Sequence, residues 1–495
     1  MRIRSRSLII MLSQGLNKAT TVILGIVLVR MIDQETFGTY RQALLVYGFL
    51  GGVLALNLGQ SLYYFIPRLQ PGLRSIFLFQ TYLISFGLSL LMALTMWFGA
   101  DRIAVFLGNP DLVPLVRILA LYPFAERLIN TIPAFMISLD RPVRAGVYSL
   151  AATAGRVGGV IVAFAIFQSL IAVMWAMIAV AIGVSLVGTV DMARMSRPIR
   201  LRIDRELMLE QVHYTWPLWT TALVAVVNLE YGKLVISYFF DPATYAVYSC
   251  GAAELPVAAL FTTSLTTAIM PNLVSLAAEG KVEGALHVWQ AAIRKSSLVI
   301  FPCFAFFTVV SSDFMVLLYG ADYARAAWPF AVLLLRLPIR IAAYSAIFRA
   351  LGRTKPIAIS ALIALGGNVL VATSLTWLGN GSLLSFVGPA IGDVVGSLIA
   401  LVYVLTVLAH ELNKPIRQVL RWRELGITMF LCGLAAILAF VLPVGGVMLP
   451  LRLAIRFAIF SISFVLLMRI SKQLQSDEIE LASALLRKVI GVLRR

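Results

Sequence analysis

Long apolar stretches follow one another along almost the whole of this chain of 495 residues. A stretch of about 20 apolar residues is long enough to cross the hydrocarbon core of a bilayer as an α-helix. We therefore predict an all-α polytopic membrane protein with about fourteen transmembrane helices; because some connections near the C-terminal end are short, twelve or thirteen spans are the alternatives. The predicted spans are residues 7–30, 41–66, 75–99, 112–138, 145–167, 170–191, 212–240, 244–273, 297–319, 327–350, 356–378, 383–409, 425–446 and 449–470.

The composition agrees with a membrane protein, and the residue types present exclude several kinds of functional site. The chain is 60% hydrophobic and only 13% charged, with a mean hydropathy of +0.92, whereas soluble domains are about 25% charged. The first span has no small-residue cleavage site, so we expect it to be retained. The three cysteines and three histidines lack metal-ligand spacing, and no phosphate-binding loop or nucleophile elbow is present. We therefore predict no cofactor, no metal site and no ATP-driven or enzymatic chemistry in this chain alone.

The net charge of +18 is arranged in alternate loops. Every second loop is rich in arginine and lysine, as are both ends of the chain, while the loops between them hold few basic residues. This alternation is the positive-inside pattern, which predicts that both termini are cytoplasmic. It also predicts contact with anionic inner-leaflet lipid rather than with nucleic acid.

A segment of the sequence is repeated. The pattern Asp-x-x-Thr-aromatic-small-x-Tyr occurs at residues 33–40 and again, 208 residues later, at 241–248. Three further short sequence matches recur in the same order at similar offsets. They are Ile66-Pro67 with Met270-Pro271, Pro123 with Pro338, and Leu139-Asp140-Arg141 with Leu351-Gly352-Arg353. A fixed offset indicates one block used twice, which is common among secondary transporters.

The repeat predicts how the chain is organised. Each copy holds six spans, an even number, so both copies enter the membrane in the same direction and should be related by a pseudo-two-fold axis along the membrane normal. We predict an N-lobe at 1–191 (spans 1–6), a cytoplasmic linker at 192–211, a C-lobe at 212–410 (spans 7–12), spans 13–14 at 411–471, and a cytoplasmic amphipathic helix at 472–495.

Ten ionisable residues fall well inside predicted spans. Each costs roughly 2.5–3.5 kcal/mol at mid-membrane, so exposing all ten to lipid would cost on the order of 30 kcal/mol. We therefore expect them to face a protein interior or a wet cavity. The six basic residues are candidates for binding an anionic headgroup: Lys18, Arg127, Arg156, Lys233, Arg336 and Arg340. The four acidic residues are candidates for ion coupling, with Glu254 and Asp393 ranked above Glu126 and Glu230.

Structural roles are the alternative for several of these charges. Glu126 with Arg127, and Glu230 with Lys233, are close enough in sequence to form ion pairs, while Arg156 lies beside glycines that allow close helix packing. The repeated turns are predicted to form a periplasmic gate, with Thr36 and Thr244 as helix N-caps. The aromatic gate residues would be Phe37, Tyr40, Tyr245 and Tyr248.

The opening of the chain resembles a known family. The run Leu28-Val-Arg-Met-Ile-Asp-Gln-Glu-Thr-Phe-Gly-Thr-Tyr40, followed by a Gly-rich second span, is similar to the polysaccharide-synthesis (O-antigen) flippases of the multidrug/oligosaccharidyl-lipid/polysaccharide (MOP) exporter superfamily. The resemblance covers essentially the whole chain. It implies translocation of an undecaprenyl-diphosphate-linked oligosaccharide across a bacterial plasma membrane for lipopolysaccharide or exopolysaccharide synthesis. It also implies a polysaccharide polymerase and a chain-length regulator as partners.

Three other functions are weighed against this one. A lipid-linked peptidoglycan precursor flippase and a cation-coupled multidrug exporter belong to the same superfamily, although a drug exporter should have a cavity dominated by carboxylates. A polysaccharide polymerase or ligase would be an enzyme, but such enzymes typically carry a large periplasmic loop, which is not found in this sequence.

Overall fold

The structure is a computed structural model that describes residues 15–16, 20, 22–341, 344–442, 444 and 446–473, with the backbone alone at 71, 256–260 and 263–264. Within these residues it is helical and contains no β-strand, as predicted. Lys18 and the predicted surface helix beyond residue 473 lie outside the described residues.

The helices follow the predicted spans in chain order. The first ten are α1 (Val22–Met31), α2 (Gln34–Val53), α3 (Leu58–Phe65), α4 (Pro71–Phe106), α5 (Leu112–Leu119), α6 (Tyr122–Ser138), α7 (Pro142–Phe167), α8 (Leu170–Met195), α9 (Arg205–Phe239) and α10 (Pro242–Gly251). The next are α11 (Pro256–Ala278), α12 (Val282–Val309), α13 (Ser311–Tyr319), a 3₁₀ turn (Ala321–Ala326), α14 (Ala327–Leu334), α15 (Arg336–Ile339) and α16 (Tyr344–Ala350). The last are α17 (Lys355–Leu378), α18 (Leu383–Glu411), α19 (Ile416–Val419), α20 (Trp422–Val441) and α21 (Leu449–Ile470).

Ten helices of the described chain are long and apolar enough to cross a membrane, or eleven if α2 and α3 form one bent span. Two of the other three predicted spans, 112–138 and 244–273, contain interrupted helices, and the third, 7–30, is described mainly from residue 22 onwards. All fourteen apolar stretches therefore contain helix among the described residues, but 112–138 and 244–273 do not contain one uninterrupted spanning helix.

Several predicted spans are broken. Leu56 and Asn57 adopt left-handed conformations (φ 44° and 48°), so α2 ends and α3 starts in a new direction, bent by 45°. The eighth span unwinds between α10 and α11, and the tenth is divided into the short helices α14, α15 and α16, with Pro338 inside α15. Since proline removes a backbone donor and clashes with the preceding turn, the short α15 agrees with the expected effect of Pro338.

Contacts divide the chain into two compact units. Unit 1 comprises residues 1–256 and 361–396, and unit 2 comprises 257–360 and 397–495. In unit 1, α6, α7 and α8 pack on one another, and a buried cluster that includes Phe65, Phe77 and Phe135 joins α3, α4 and α6. In unit 2, α12 packs against α20, which packs against α21, around a core that includes Trp289 and Phe460. The lobe boundaries inferred from the repeat stay a prediction.

Candidate functional site

The two repeated turns adopt the same local structure. Asp33 precedes α2 and Asp241 precedes α10 with nearly identical backbone angles (φ −66°, ψ 166° and φ −65°, ψ 163°). Each aspartate accepts a hydrogen bond from the backbone N–H of the threonine three residues later, at 2.9 Å for Thr36 and 2.8 Å for Thr244. The N-caps are therefore the aspartates. The prediction that Thr36 and Thr244 are the caps was wrong, because a carboxylate at the capping position reaches the N–H three residues on.

These turns lie against each other within unit 1. Gly38 of α2 sits so close to the carbonyl group of Pro242, at the start of α10, that no Cβ fits between them. All four predicted aromatic gate residues are almost fully buried: Phe37, Tyr40, Tyr245 and Tyr248. The hydroxyl of Tyr245 donates a hydrogen bond to the carbonyl of Arg41 at 3.4 Å. The structure thus brings the two repeated motifs together at one end of their helices.

Polar side chains reinforce this contact. Arg41 Nε donates to Ser249 Oγ at 3.3 Å, and Gln42 Nε2 donates to Ser237 Oγ at 2.9 Å. Asn109 Nδ2 in turn donates to Gln42 Oε1 at 2.7 Å. Buried polar groups of this kind are costly when unpaired, so the network favours one fixed arrangement of α2, α9 and α10.

A cavity of about 460 Å³ lies inside unit 1, next to the break between α2 and α3. Glycines of α2, including Gly48 and Gly51, form part of its wall and leave room that side chains would fill. Asn57, at the break itself, lines the cavity as well. Discontinuous helices beside a cavity are typical of substrate sites in secondary transporters, because irregular backbone is tolerated where it faces water.

One acidic residue of α6 connects this cavity with a second one. Glu126 lines the 460 Å³ cavity and also a neighbouring cavity of about 180 Å³, and Asn130, one turn later, does the same. The hydroxyl of Tyr47 donates a hydrogen bond to Glu126 Oε2. The ring of Tyr47 packs edge-on against that of Tyr122, with centroids 5.1 Å apart.

An arginine lines each cavity. Arg127 lines the larger one and Arg156 lines the smaller one, where Tyr122 is also part of the wall. A guanidinium presents several donors in a rigid fork that matches phosphate oxygens, and it stays charged under all ordinary conditions. Two arginines around a single carboxylate give this region an excess of positive charge, which suits an anionic ligand.

The packing of α7 explains how Arg156 is held there. A Cβ atom added at Gly155 or Gly159 would lie only 2.9 or 3.2 Å from the side chain of Val180 on α8. A Cβ atom added at Gly158 would meet nothing within 4 Å. Two of the three glycines thus allow the close helix approach that the sequence predicts.

Two other predicted charges pair with each other. Lys233 Nζ lies 2.9 Å from Glu230 Oε2, one turn earlier on α9, and both side chains are about one-fifth exposed (21% and 19%). This arrangement is the structural alternative that the spacing allowed. A paired lysine has less free charge to offer a ligand, so Lys233 is a weaker candidate for the headgroup site than Arg127 or Arg156.

The remaining predicted residues are placed differently. In unit 2, Arg336 begins α15 and its side chain is buried, whereas that of Arg340 is exposed. The backbone N–H of Arg340 donates to the carbonyl of Arg336 at 2.9 Å. In unit 1, Glu254 lies in the unwound segment after α10 and is exposed, whereas the interior of a continuous span was expected. Asp393 is half-buried on α18.

Sequence reasoning missed three contributors to the cavity region. Tyr47 and Asn130 carry no charge, and an uncharged polar residue inside a predicted span does not by itself indicate a functional site. The break at Asn57 was also missed, although a signal was present: Gly51 and Gly52 precede it and Gly59 follows it, which is unusual within a continuous helix.

Residues 27–328, more than half of the chain, match the model of a family described as polysaccharide biosynthesis protein. A search of curated proteins finds no significant match.

Several solved structures share the fold. The lipid II flippase MurJ, in an inward closed conformation, has a TM-score of 0.74 at 13% identity, covering 93% of this chain and 99% of that one. An inward-facing multidrug resistance MATE family transporter of the MOP superfamily has a TM-score of 0.65 at 13% identity, covering 81% and 98%. A MOP superfamily transporter from Pyrococcus furiosus has a TM-score of 0.54 at 13% identity, covering 83% and 97%. With the fold of these membrane transporters and a family match over more than half of its length, the chain belongs to the polysaccharide biosynthesis protein family.

Proposed function

We propose that this protein is a flippase that moves an undecaprenyl-diphosphate-linked oligosaccharide from the inner to the outer leaflet of a bacterial plasma membrane. The flipped glycan would supply synthesis of O-antigen or another surface polysaccharide. Both chain termini would lie in the cytoplasm, as the positive-inside pattern indicates. A polysaccharide polymerase and a chain-length regulator would act on the product.

The observation that carries this proposal is the charge of the α6 region. Arg127 and Arg156 line two adjoining cavities, and the one carboxylate between them, Glu126, accepts a hydrogen bond from Tyr47. The excess of positive charge favours a diphosphate over the cationic compounds that drug exporters carry. A wet cavity also suits hydrophilic sugars, while a polyprenyl tail can stay in lipid. No covalent step is needed, only two access states.

The contact between α2 and α10 would act as the gate of this cycle. The close contact of Gly38 with Pro242 and the burial of the four aromatic residues support this role, and together they would seal the end of the helices at the repeated turns. By the charge pattern of the loops, this end would be periplasmic. Release to the outer leaflet would require the two turns to separate.

A transport assay tests the substrate. Purified protein in proteoliposomes should flip a fluorescent undecaprenyl-diphosphate oligosaccharide, and Arg127→Gln should reduce the rate by at least about tenfold, since one charge-assisted hydrogen bond contributes roughly 1.5–3 kcal/mol. Arg156→Gln, Arg336→Gln and Arg340→Gln are expected to do the same. Arg117→Gln is the matched control, because Arg117 pairs at 2.7 Å with the exposed Asp101 and lines neither cavity.

Other cargoes separate the alternatives. Flipping of a lipid-linked peptidoglycan precursor at a higher rate than the oligosaccharide would assign the protein to that pathway. Efflux of cationic drugs without flipping of either lipid would assign it to drug export. Full activity of all four arginine variants would show that these arginines are structural.

A crosslink tests the gate. Cysteines introduced by Phe37→Cys and Tyr245→Cys, in a protein whose native cysteines are replaced by alanine, should form a disulfide under oxidation and arrest flipping. Reduction should restore it. If the pair never crosslinks, with or without substrate, the two turns do not form the gate.

A further inference from the structure

Unit 2 contains a cavity lined by charged side chains, far in sequence from the α6 region. It has a volume of about 880 Å³ and lies where α20 begins, bounded also by α12, α19 and the turn after α21. Its walls carry five basic side chains and a single carboxylate: Arg294, Arg417, Arg421, Arg423, Lys472 and Glu424. Such an excess of one sign of charge around a cavity attracts an anion.

The carboxylate is already shared between two of the arginines. Arg294 Nη1 lies 3.2 Å from Glu424 Oε2, and Arg421 Nη1 lies 3.5 Å from Glu424 Oε1. Arg294, whose side chain is only 13% exposed, also donates to the carbonyl of Gln473 at 2.7 Å. These contacts connect α12 to α20 and to the end of α21.

Three basic residues have no such partner. Arg417, Arg423 and Lys472 are exposed, and no carboxylate of the described chain forms an ion pair with them. Their charges are therefore available to a ligand, and they come from three different places: α19, α20 and the turn after α21.

The backbone that carries these residues is held in place. Gln290 Nε2 of α12 donates to the carbonyls of Gln418 and Val419, both at 3.0 Å, and the side chain of Val419 is fully buried. The indole N–H of Trp422 donates to the carbonyl of Ile416 at 3.1 Å. The cavity is thus built on fixed backbone rather than on a loose surface loop.

The surroundings of the cavity are those of a membrane interface. The apolar helix α20 starts at Trp422, and tryptophan is enriched at the level of lipid headgroups. Beyond it, large apolar side chains such as Phe430 (70% exposed) and Ile470 (78% exposed) cover the outside of α20 and α21. A ligand with a phosphate and acyl chains would satisfy both parts of this surface at once.

We propose that this cavity binds the phosphate headgroup of an anionic membrane lipid, with the acyl chains against the exposed apolar side chains of α20 and α21. The bound lipid is a resident ligand of unit 2 and not the transported glycolipid. It would tie α12, α19, α20 and α21 to one leaflet. This site is independent of the α6 cavities, so the proposal does not depend on the identity of the cargo.

The proposed lipid site is tested by measuring the binding of phosphatidylglycerol. The full chain is placed in phosphatidylcholine nanodiscs, and affinity is measured for a fluorescent phosphatidylglycerol. The combined variant Arg417→Gln, Arg423→Gln and Lys472→Gln should weaken binding by roughly tenfold or more, since each basic residue near an anionic surface contributes about fivefold in affinity. The charge-preserving variant Arg417→Lys, Arg423→Lys and Lys472→Arg should retain most of it.

The matched control removes three exposed arginines from the connector between α8 and α9 and its end: Arg197→Gln, Arg202→Gln and Arg205→Gln. It should bind phosphatidylglycerol nearly as well as the unaltered protein. Equal losses in both triple variants would overturn the proposal, because diffuse charge would then account for binding. If inorganic phosphate or glycerol phosphate binds as tightly as phosphatidylglycerol, the ligand is a free phosphate compound and the proposed lipid site is wrong. The assay measures binding, so loss of transport does not affect it.

Discussion

Gly38 of the first repeat meets the backbone carbonyl of Pro242 of the second so closely that even a methyl group would not fit between them. Gly38 is the small residue of the repeated pattern, whereas Pro242 occupies one of its variable positions. The small residue at this position in the first copy allows α2 to rest directly on the start of α10.

Replacing Gly38 by alanine should force the two turns apart. Overpacking of this kind costs about 1–3 kcal/mol, and it acts on the closed arrangement alone. The native thiol of Cys250, buried on α10, reports the change. With Cys303 and Cys432 replaced by alanine, Gly38→Ala should raise the rate at which a maleimide labels Cys250, and flipping should slow.

The control is Gly87→Ala on α4, where an added Cβ meets nothing within 4 Å. It should leave labelling and flipping unchanged. Unaltered labelling of Cys250 in Gly38→Ala would mean that this contact does not keep the turns closed.

Carboxylates inside the membrane are expected to couple flipping to an ion gradient. Such a group can change its proton occupancy when its access to water changes. In proteoliposomes with an imposed pH gradient, Glu254→Gln, Asp393→Asn or Glu126→Gln should abolish the response to the gradient while binding of lipid-linked sugar persists. The exposed Glu210 of α9 provides the control, and Glu210→Gln should respond normally.

Asp393 stays a candidate on α18, the position of Glu126 between two cavities raises its rank, and Glu254 loses the reason for its first rank because it is exposed after α10. Glu230 ranks below them because it pairs with Lys233. A full response in every variant would point instead to membrane potential, another ion or consumption of the product as the driving force.

The cap at Asp33 should make the turn before α2 sensitive to acid. Hydrogen bonds from the backbone and then the side chain of Thr36 hold the pKa of Asp33 below its ordinary value of 3.8. A carboxyl group with a lowered pKa stabilises the fold above its unfolded pKa, and that contribution is lost as the pH falls through the folded value. Asp33→Ala should cost about 1 kcal/mol near neutral pH.

Thermal unfolding at about pH 7 and about pH 3 checks this expectation. Asp33→Asn is the matched variant, because asparagine still caps the helix but does not titrate there. Its melting temperature should fall less on acidification than that of the unaltered protein. An equal fall in both would remove Asp33 as a source of the acid sensitivity.

A shared carboxylate links α13 to α21 in unit 2. Asp313 lies 2.5 Å from Arg452 Nη2 and 2.8 Å from Arg456 Nη1, and its side chain is 20% exposed. Removing one partner of a largely buried ion pair leaves an uncompensated charge, so Asp313→Ala should destabilise unit 2 by roughly 3 kcal/mol. Asp101→Ala breaks an exposed pair with Arg117 and should cost about 0–1 kcal/mol.

Thermal unfolding in detergent compares the two variants directly. Equal shifts in melting temperature would show that the Asp313 cluster contributes no more than a surface pair. A partial rescue of Asp313→Ala by Arg456→Met would identify the unpaired arginine as the cause of the loss.

The sequence by itself determined the parts of this structure that depend on local chemistry. Apolar stretches of spanning length predicted where helix forms, because a bilayer admits a hydrogen-bonded backbone. The repeated Asp-x-x-Thr pattern predicted two equivalent turns, although their caps are Asp33 and Asp241 and not the predicted threonines. The Glu230–Lys233 pair was among the stated alternatives because the two residues are close together in sequence.

The tertiary structure alone decided the rest. The meeting of Tyr47 with Glu126 and the separate surroundings of Arg127 and Arg156 depend on residues far apart in the chain. The basic cavity of unit 2 draws on α12, α19, α20 and the end of α21, so its charges appear unrelated in sequence order. Hydrophobicity and charge counts give the membrane depth of a side chain, but only packing gives its direction around the helix axis and its neighbours.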